Sequence, residues 1–247
     1  MRALLVDDEP LARALLREQL AAHPEIEIVG EAANGFDAVK QIGELAPDLV
    51  FLDIQMPKLS GFEVLELAGD DAPAVIFITA YDEFALQAFE VHAVDYLLKP
   101  VEPERLAAAV TRAEKRLAAA PPAIDAEALA SSARPPGRRL ERVLFREEGR
   151  VNVLPVGRID FVEAQDDYLS FAAAGKRFRK QQTMARLEAD LDPARFVRIH
   201  RSYLLNVERL ARLELYAKDS WIAILADGTK LPVSRHGHAR LRELIGG

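Results

Sequence analysis

The order of apolar and polar residues in the first half of the chain predicts five strands that alternate with five helices. Short apolar runs of strand length are separated by longer segments in which apolar residues recur at helical spacing. The predicted strands are Ala3–Val6, Glu27–Ala32, Leu49–Leu52, Ala74–Thr79 and Asp95–Leu98, and the predicted helices are Pro10–Ala22, Gly35–Leu45, Gly61–Ala68, Glu83–Val91 and Glu102–Ala119. This succession predicts an α/β fold with a doubly wound, five-stranded parallel sheet flanked by helices.

After Arg138 the spacing of apolar residues changes to an alternation of period two, which predicts short β-strands. The predicted strands are Arg142–Glu147, Arg150–Leu154, Ile159–Ala164, Tyr168–Ala173, Arg177–Lys180, Phe196–His200, Leu210–Tyr216, Trp221–Leu225 and Lys230–Val233. Turns are expected at Glu148-Gly149 and Gln165–Asp167, and short helices after Thr183 and from near Ser234. The second half is therefore predicted to be a mostly β module.

The two patterns meet in a segment that is rich in proline and small residues and has no apolar periodicity. We interpret residues 119–138 as a linker of mixed stiffness. The chain is then multidomain, with one domain at residues 1–118 and a second at residues 139–247.

Charge is distributed unevenly between these two domains. The formal net charge is −7, yet residues 1–120 hold 10 Lys and Arg against 22 Asp and Glu, whereas residues 138–247 hold 21 against 15. A basic second half is compatible with a polyanionic partner. The chain has no cysteine and no apolar run of membrane-spanning length, so we expect a cytoplasmic protein without membrane association.

Polar side chains stand at the ends of the predicted parallel strands. Asp7 and Asp8 follow the first strand, Asp53 ends the third, Thr79 ends the fourth and Lys99 follows the fifth. The carboxyl ends of such strands form the edge at which open α/β sheets bind ligands. Three carboxylates in one crevice repel one another unless a cation is present, and oxygen ligands suit Mg²⁺. Taken without the other residues, Lys99 is better explained as a solvated loop lysine, and the other residues reverse this preference.

The same positions resemble the receiver domain of bacterial two-component response regulators. The residues that carry the resemblance are Val6-Asp-Asp-Glu-Pro10, Leu52-Asp-Ile-Gln-Met-Pro57, Phe77-Ile-Thr-Ala80 and Asp95-Tyr-Leu-Leu-Lys-Pro100. The resemblance covers residues 1–118 and implies the flavodoxin-like fold already predicted from the spacing.

The resemblance also implies a role for each of these residues. Asp53 would be the phosphoacceptor, taking a phosphoryl group from a phosphohistidine on a sensor histidine kinase. Asp7 and Asp8, together with Asp53, would hold Mg²⁺. Lys99 would pair with a phosphoryl oxygen, and its bond to Pro100 is expected to be cis.

The resemblance to receiver domains also implies that the first domain switches between two states. Phosphorylation at Asp53 would draw in the hydroxyl of Thr79, and the ring of Tyr96 would then move inward. The alternative is a tyrosine that stays half buried in both states. The face around Tyr96 would be the surface through which the protein forms a homodimer.

The second half resembles the LytTR DNA-binding domain. The residues that carry this resemblance are Phe161-Val-Glu-Ala-Gln-Asp-Asp-Tyr-Leu169, Phe196-Val-Arg-Ile-His-Arg-Ser-Tyr-Leu-Leu-Asn206 and Leu231-Pro-Val-Ser-Arg235. The resemblance implies that loops enter the major groove of double-stranded promoter DNA. His200, Arg201 and Arg235 would reach base edges, since arginine donates in pairs to guanine.

A cluster of basic residues follows Gly175, namely Lys176, Arg177, Arg179 and Lys180, and we expect these side chains to bind DNA phosphates. A charged strand edge that prevents aggregation is the alternative. His200 is also compatible with a structural histidine. Asp166 and Asp167 are anionic, so each would accept from a cytosine amino group or contact nothing.

These features together predict a phosphorylation-controlled transcriptional regulator of a two-component system, and not an enzyme. The alternative is a phosphorelay or protein-binding regulator whose basic module binds another protein instead of DNA. A hydrolase that uses Asp53 is disfavoured because the sequence places no water-activating base beside the acids.

Overall fold

The computed structural model describes residues 1–82, 84–85, 88, 91–119, 139–147, 150–217 and 220–245. Contacts among them divide the chain into two compact units, one that contains residues 1–119 and one that contains residues 139–145 and 152–245. None of the described helices is long and apolar enough to cross a membrane.

The first unit is a parallel sheet with the strand order β2-β1-β3-β4-β5. Its strands are β1 (Arg2–Val6), β2 (Glu27–Ala32), β3 (Leu49–Leu52), β4 (Ala74–Thr79) and β5 (Asp95–Leu98), and its helices are α1 (Pro10–Leu20), α2 (Gly35–Leu45), α3 (Gly61–Ala68) and α4 (Pro103–Ala118). All four strand pairs are parallel. The predicted doubly wound α/β fold is confirmed.

Three predictions fall on parts of the chain outside the described residues. Five of the nine residues of the helix expected at Glu83–Val91 lie there, as do residues 120–138 of the expected linker and the expected turn at Glu148-Gly149. These three remain predictions.

Strand β3 occupies the centre of the first unit because its four residues are all apolar and all buried. On one face of the sheet Phe51 packs in a cluster with residues of α1 and α4, among them Leu16 and Leu106. On α3, Phe62 lies 4.8 Å from the ring centroid of Phe77 on β4. A strand covered on both faces is held rigidly, so the residue that follows it is held rigidly as well.

The start of α3 fixes the loop that leaves β3. Ser60 accepts a hydrogen bond from the backbone N–H of Glu63, and the carboxylate of Glu63 accepts one from the N–H of Ser60. This reciprocal cap satisfies two N–H groups that have no partner within the helix.

The second unit is mostly β, as predicted. The strands that follow residue 138 are β6 (Arg142–Glu147), β7 (Arg150–Pro155), β8 (Phe161–Gln165), β9 (Tyr168–Ala173), β10 (Lys176–Gln181), β11 (Phe196–His200), β12 (Tyr203–Asn206), β13 (Leu210–Ala217), β14 (Ser220–Leu225) and β15 (Lys230–Val233), with helices α5 (Met184–Asp190) and α6 (Arg235–Ile245). Strand β12 was not among the predicted strands.

A five-stranded sheet with the order β10-β9-β8-β12-β11 forms the middle layer of the second unit. Alternate residues of each strand point to opposite faces. Val162 and Leu204 pack in a cluster with residues of β6, β7 and α5. Phe161 and Leu205 pack in a second cluster with residues of the sheet β13-β14-β15 and of α6. Both faces of the sheet are therefore buried, so only its edges and loops remain available to a ligand.

Candidate functional site

Two buried carboxylates lie where the chain leaves the central strands β1 and β3. The backbone N–H of Asp53 donates to the carbonyl of Val6 at 2.9 Å, which holds the ends of β1 and β3 together. Asp7 is 7% exposed and Asp53 is 6% exposed. Asp8 is half-buried, and one carboxylate oxygen from each of the three aspartates lies within 4.8 Å of the others. The predicted acidic crevice is therefore present as a geometric cluster.

Lys99 reaches into the same crevice from the end of β5. Its Nζ lies 2.7 Å from Oδ2 of Asp7 and 2.7 Å from Oδ2 of Asp53. Its backbone N–H donates to the carbonyl of Thr79 at 2.8 Å, and the bond to Pro100 is cis, as expected. The side chain is thus an internal cation between two carboxylates.

The environment of Asp53 changes its proton affinity. Burial raises the pKa of Asp53 above its ordinary value, and the hydrogen bond and charge of Lys99 oppose this effect. Burial alone would lower the pKa of Lys99, but its hydrogen bonds to Asp53 and Asp7 outweigh burial, so the pKa of Lys99 is raised. Lys99 therefore stays charged at neutral pH and favours the ionised form of Asp53.

The crevice fits a hard divalent cation. Three carboxylates supply oxygen ligands at mutually compatible distances, which is the donor set that Mg²⁺ prefers. The position of Lys99 between two of them also indicates that this cluster needs positive charge.

Thr79 is buried at the end of β4, the strand that neighbours β3. The residue is 0% exposed, and its Oγ1 has no hydrogen-bond partner among the described residues. A buried hydroxyl without a partner is costly, so it is available to a new acceptor. Tyr96 lies one strand further, half-buried, with its hydroxyl donating to the carbonyl of Tyr81.

A shallow groove of about 410 Å³ runs beside Tyr96. It is lined by Leu98, Val101 and Arg105 among other residues, and Leu98 is 48% exposed. This surface contains β5 and the start of α4, where the homodimer face is predicted.

In the second unit, two of the predicted base-reading segments meet at the end of β11. His200 ends that strand, Arg201 is exposed in the following turn, and Arg235 is exposed at the start of α6. The backbone N–H of Ser234, the residue before Arg235, donates to the carbonyl of Ile199 at 2.8 Å. His200, Arg201 and Arg235 therefore lie within two residues of the hydrogen bond that joins these two chain segments.

The turn predicted at Gln165–Asp167 is adjacent to these two segments. The N–H of Ala164 donates to the carbonyl of Ser202 at 2.9 Å, so the turn between β8 and β9 lies beside the turn after His200. Asp166 and Asp167 form this turn and are exposed, and Asp166 has a positive φ of 47°.

The basic cluster lies along β10, at one edge of the five-stranded sheet. Lys180 pairs with Leu169, near the turn of Asp166, whereas Lys176 pairs with Ala173 four residues further along. The two lysines are therefore roughly 13 Å apart along the strand. Arg179 is exposed between them. The four basic residues extend along the strand away from the loops, with Lys176 and Lys180 on one face and Arg177 and Arg179 on the other, and do not form a compact patch.

Arg177 has partners inside the protein. Its Nη1 lies 3.2 Å from Oε2 of Glu163, and its guanidinium lies 4.6 Å from the ring centroid of Phe161. Glu163 also accepts from the hydroxyl of Tyr203 at 2.6 Å, and this bond raises the pKa of Tyr203. A phosphate would therefore compete with Glu163 for this guanidinium.

The network around Glu163 was missed from the sequence. Phe161 and Glu163 lie two residues apart, so the period-two pattern places them on one face of β8. Glu163 faces Ser170 on one side and Tyr203 on the other in the strand register. Without β12, which was not predicted, the partner Tyr203 could not be inferred.

Comparison with known proteins places this geometry in a family. Residues 3–111 match the response regulator receiver domain, and residues 149–246 match the LytTr DNA-binding domain. An uncharacterized response regulatory protein of Vibrio cholerae is 37% identical, with 100% of this chain and 99% of that protein covered. Sensory transduction protein LytT of Enterococcus faecalis is 33% identical and transcriptional regulatory protein BtsR of Salmonella typhimurium is 35% identical, each with 100% of this chain and 99% of that protein covered.

The fold and the acidic crevice of the first unit are those of a receiver domain. The chain belongs to the two-component response regulators that join an N-terminal receiver domain to a C-terminal LytTR DNA-binding domain. It is therefore a regulator with a DNA-binding module, as the sequence predicted.

Proposed function

We propose that this response regulator is a transcriptional regulator controlled by phosphorylation of Asp53. The observation that carries the proposal is the position of Asp53, buried beside Asp7 and bridged to it by Lys99. Oδ of Asp53 would attack the phosphorus of a phosphohistidine on a sensor histidine kinase. A P–O bond forms, the P–N bond breaks, and the imidazole of the kinase keeps the electron pair.

Each residue of the crevice has a defined task in this proposal. Asp7, Asp8 and Asp53 would hold Mg²⁺, which neutralises charge on the transferring phosphoryl group. Lys99 already lies 2.7 Å from Asp53 and would pair with a phosphoryl oxygen. Thr79 would donate its unpartnered hydroxyl to another oxygen.

The proposed output of the receiver is a homodimer formed through the face around Tyr96. If Thr79 moves towards the phosphoryl group, the ring of Tyr96 can turn inward and give up its bond to Tyr81. The groove beside Tyr96 would then change shape. Dimerisation would raise the effective concentration of the second DNA-binding domain once the first is bound.

We place the receiver at residues 1–118, the linker at 119–138 and the DNA-binding domain at 139–247. The matches to the two families lie inside the two proposed domains. His200, Arg201 and Arg235 would contact base edges of promoter DNA. Lys176, Arg179 and Lys180 would contact phosphates, and Arg177 would do so in competition with Glu163.

Control by phosphorylation is tested by comparing Asp53→Asn with the wild-type chain. Sedimentation and promoter binding are measured with Mg²⁺, with and without a small-molecule phosphodonor. We expect the donor to increase dimer and bound DNA in the wild type and to change neither in the variant. Asp37→Asn is the matched control, because Asp37 is a carboxylate of the same domain on α2. Equal responses of Asp53→Asn and wild type would refute the proposal.

A salt titration distinguishes DNA binding from the alternative, in which the basic module binds another protein. When a protein binds DNA through several phosphates, the logarithm of its affinity falls linearly with the logarithm of the salt concentration, with a slope of about −0.9 for each phosphate contact. We expect a slope that reflects several contacts and that becomes shallower by about 1 in Lys180→Ala. A flat titration would favour the protein-binding alternative.

A further inference from the structure

The carbonyl of Ile199 joins two segments that are far apart in sequence. It accepts one hydrogen bond from the backbone N–H of Ser234 at 2.8 Å and another from the hydroxyl of Ser234 at 3.0 Å. Ile199 directly precedes His200, and Ser234 directly precedes Arg235. The junction therefore lies one residue away from two of the proposed base-reading side chains.

The hydroxyl of Ser234 also fixes the direction of α6. It accepts a hydrogen bond from the backbone N–H of Gly237 at 3.0 Å, which is the arrangement of a helix N-cap. A Cβ on Gly237 would lie 2.0 Å from the carbonyl oxygen of Ile199, so only glycine allows this approach. One hydroxyl thus ties the end of β11 and the start of α6 together.

A second connection runs through Arg198, which lies on β11 directly before Ile199. Its Nη2 donates to the carbonyl of Arg201 at 2.8 Å, and its Nη1 lies 3.5 Å from Oε2 of Glu188 on α5. The other carboxylate oxygen of Glu188 lies 2.9 Å from Arg240 on α6. The turn that carries Arg201 and the helix that carries Arg235 are therefore both connected to one carboxylate.

The geometry points to Ser234 and Arg198 as positioning residues that hold Arg201 and Arg235 at a fixed separation, so that both arginines read their bases at the same time. The inference rests on the proposed DNA-binding function and goes beyond it. Neither residue needs to contact DNA. Paired hydrogen bonds to a base edge tolerate only small displacements. Two arginines on separate segments can therefore recognise their bases at the same time only if the segments are held in fixed positions relative to each other.

Loss of a positioning residue should differ from loss of a phosphate contact. A misplaced arginine forfeits its base contact, which resembles a mismatched base pair and lowers affinity for the specific site by roughly tenfold. Phosphate contacts along β10 would be unaffected, so affinity for a scrambled duplex should stay within about twofold and the salt slope should not change.

The test uses the full-length chain with phosphodonor and Mg²⁺. Wild-type protein first selects binding sites from a pool of random-sequence duplexes. The recovered duplex and a scrambled duplex of equal composition are then titrated with Ser234→Ala, Ser234→Thr and Arg198→Lys. Ser234→Thr keeps the hydroxyl, and Arg198→Lys keeps the charge but cannot reach Arg201 and Glu188 with one planar group. Thr229→Ala is the matched control, because it removes a hydroxyl of the same domain that donates to Asp227 within an exposed turn.

We expect Ser234→Ala and Arg198→Lys to lose affinity for the selected duplex only, together with base preference at the positions read by Arg201 or Arg235. Ser234→Thr and Thr229→Ala should retain both. Folding is checked separately through the fluorescence of Trp221, the single tryptophan of the chain. If folded Ser234→Ala and Arg198→Lys keep the wild-type base preference, the inference is overturned. If the wild type itself selects no sequence, the proposed DNA-binding function fails instead.

Discussion

Lys99 donates a hydrogen bond of 2.7 Å to the carboxylate of Asp53, although the two residues are 46 positions apart in the sequence. The same Nζ lies 2.7 Å from the carboxylate of Asp7. One ammonium group therefore offsets the repulsion of two buried carboxylates, and the charge of this crevice depends on it.

We predict that Lys99→Met raises the pKa of Asp53 further. In the wild type the Lys99 charge opposes the effect of burial, and methionine keeps much of the side-chain volume without the charge. The measurement is an NMR titration of the Asp53 carboxyl carbon. Lys40→Met, at an exposed lysine 3.9 Å from Glu44, should leave that titration unchanged. A lower pKa of Asp53 in Lys99→Met would contradict the geometry described here.

We predict that Asp53→Asn increases the free energy of unfolding of the receiver domain at neutral pH without Mg²⁺. Because the folded-state pKa of Asp53 is raised, its contribution to stability is present below the ordinary aspartate pKa and is lost as pH rises through the folded-state pKa. Asparagine stays neutral and avoids that loss. The difference between variant and wild type should therefore shrink as the solution is made acidic.

The measurement is urea unfolding followed by circular dichroism. Trp221 lies in the DNA-binding domain, so its fluorescence identifies the transition of that domain and separates it from the transition of the receiver. A receiver transition that weakens in Asp53→Asn at neutral pH would show that burial of the charge is not the dominant effect.

We predict that Thr79→Val leaves the stability of the unphosphorylated receiver within about 1 kcal/mol of wild type, because the hydroxyl that it removes has no described partner. The same variant should lose the dimerisation that a phosphodonor induces. Sedimentation with the donor and urea unfolding without it measure the two effects. A large loss of stability would indicate a hydrogen bond that Thr79 makes in the unphosphorylated state.

The receiver crevice could be predicted because its chemistry follows from topology. Parallel strands place their carboxyl ends at one edge, so Asp7, Asp53, Thr79 and Lys99 were expected to meet once the strands were found. The double contact of Lys99 with Asp7 and Asp53 could not be predicted, because it depends on how a flexible side chain packs in the folded crevice.

The DNA-binding domain was less accessible to sequence reasoning. The adjacent residues Leu204 and Leu205 are both apolar because they pack on opposite faces of the sheet, so β12 at Tyr203–Asn206 shows no period-two alternation and was missed. Without β12, the strand register that places Tyr203 opposite Glu163 could not be predicted either. Arg177 appeared to be one member of a charge run, whereas the fold gives it a carboxylate and an aromatic ring as partners. A charge run in sequence does not show which members face the rest of the protein.

We predict that Gly237→Ala destabilises the DNA-binding domain by about 1–3 kcal/mol. Helix propensity alone would favour alanine at this position in α6 by about 1 kcal/mol. The added Cβ, however, would lie 2.0 Å from the carbonyl oxygen of Ile199. That oxygen is a backbone atom of β11, so it cannot shift without moving the strand. A net loss of stability would therefore be caused by the close approach of α6 to β11.

The measurement is urea unfolding followed by Trp221 fluorescence, since this residue packs against the core that α6 covers. Gly157→Ala is the control, because a Cβ there would meet only the flexible end of Arg195 at 3.4 Å. We expect the control to keep wild-type stability within about 0.5 kcal/mol, as surface substitutions generally do. If Gly237→Ala proves as stable as the control, α6 can move away from Ile199 without cost, and the spacing between Arg235 and His200 is adjustable.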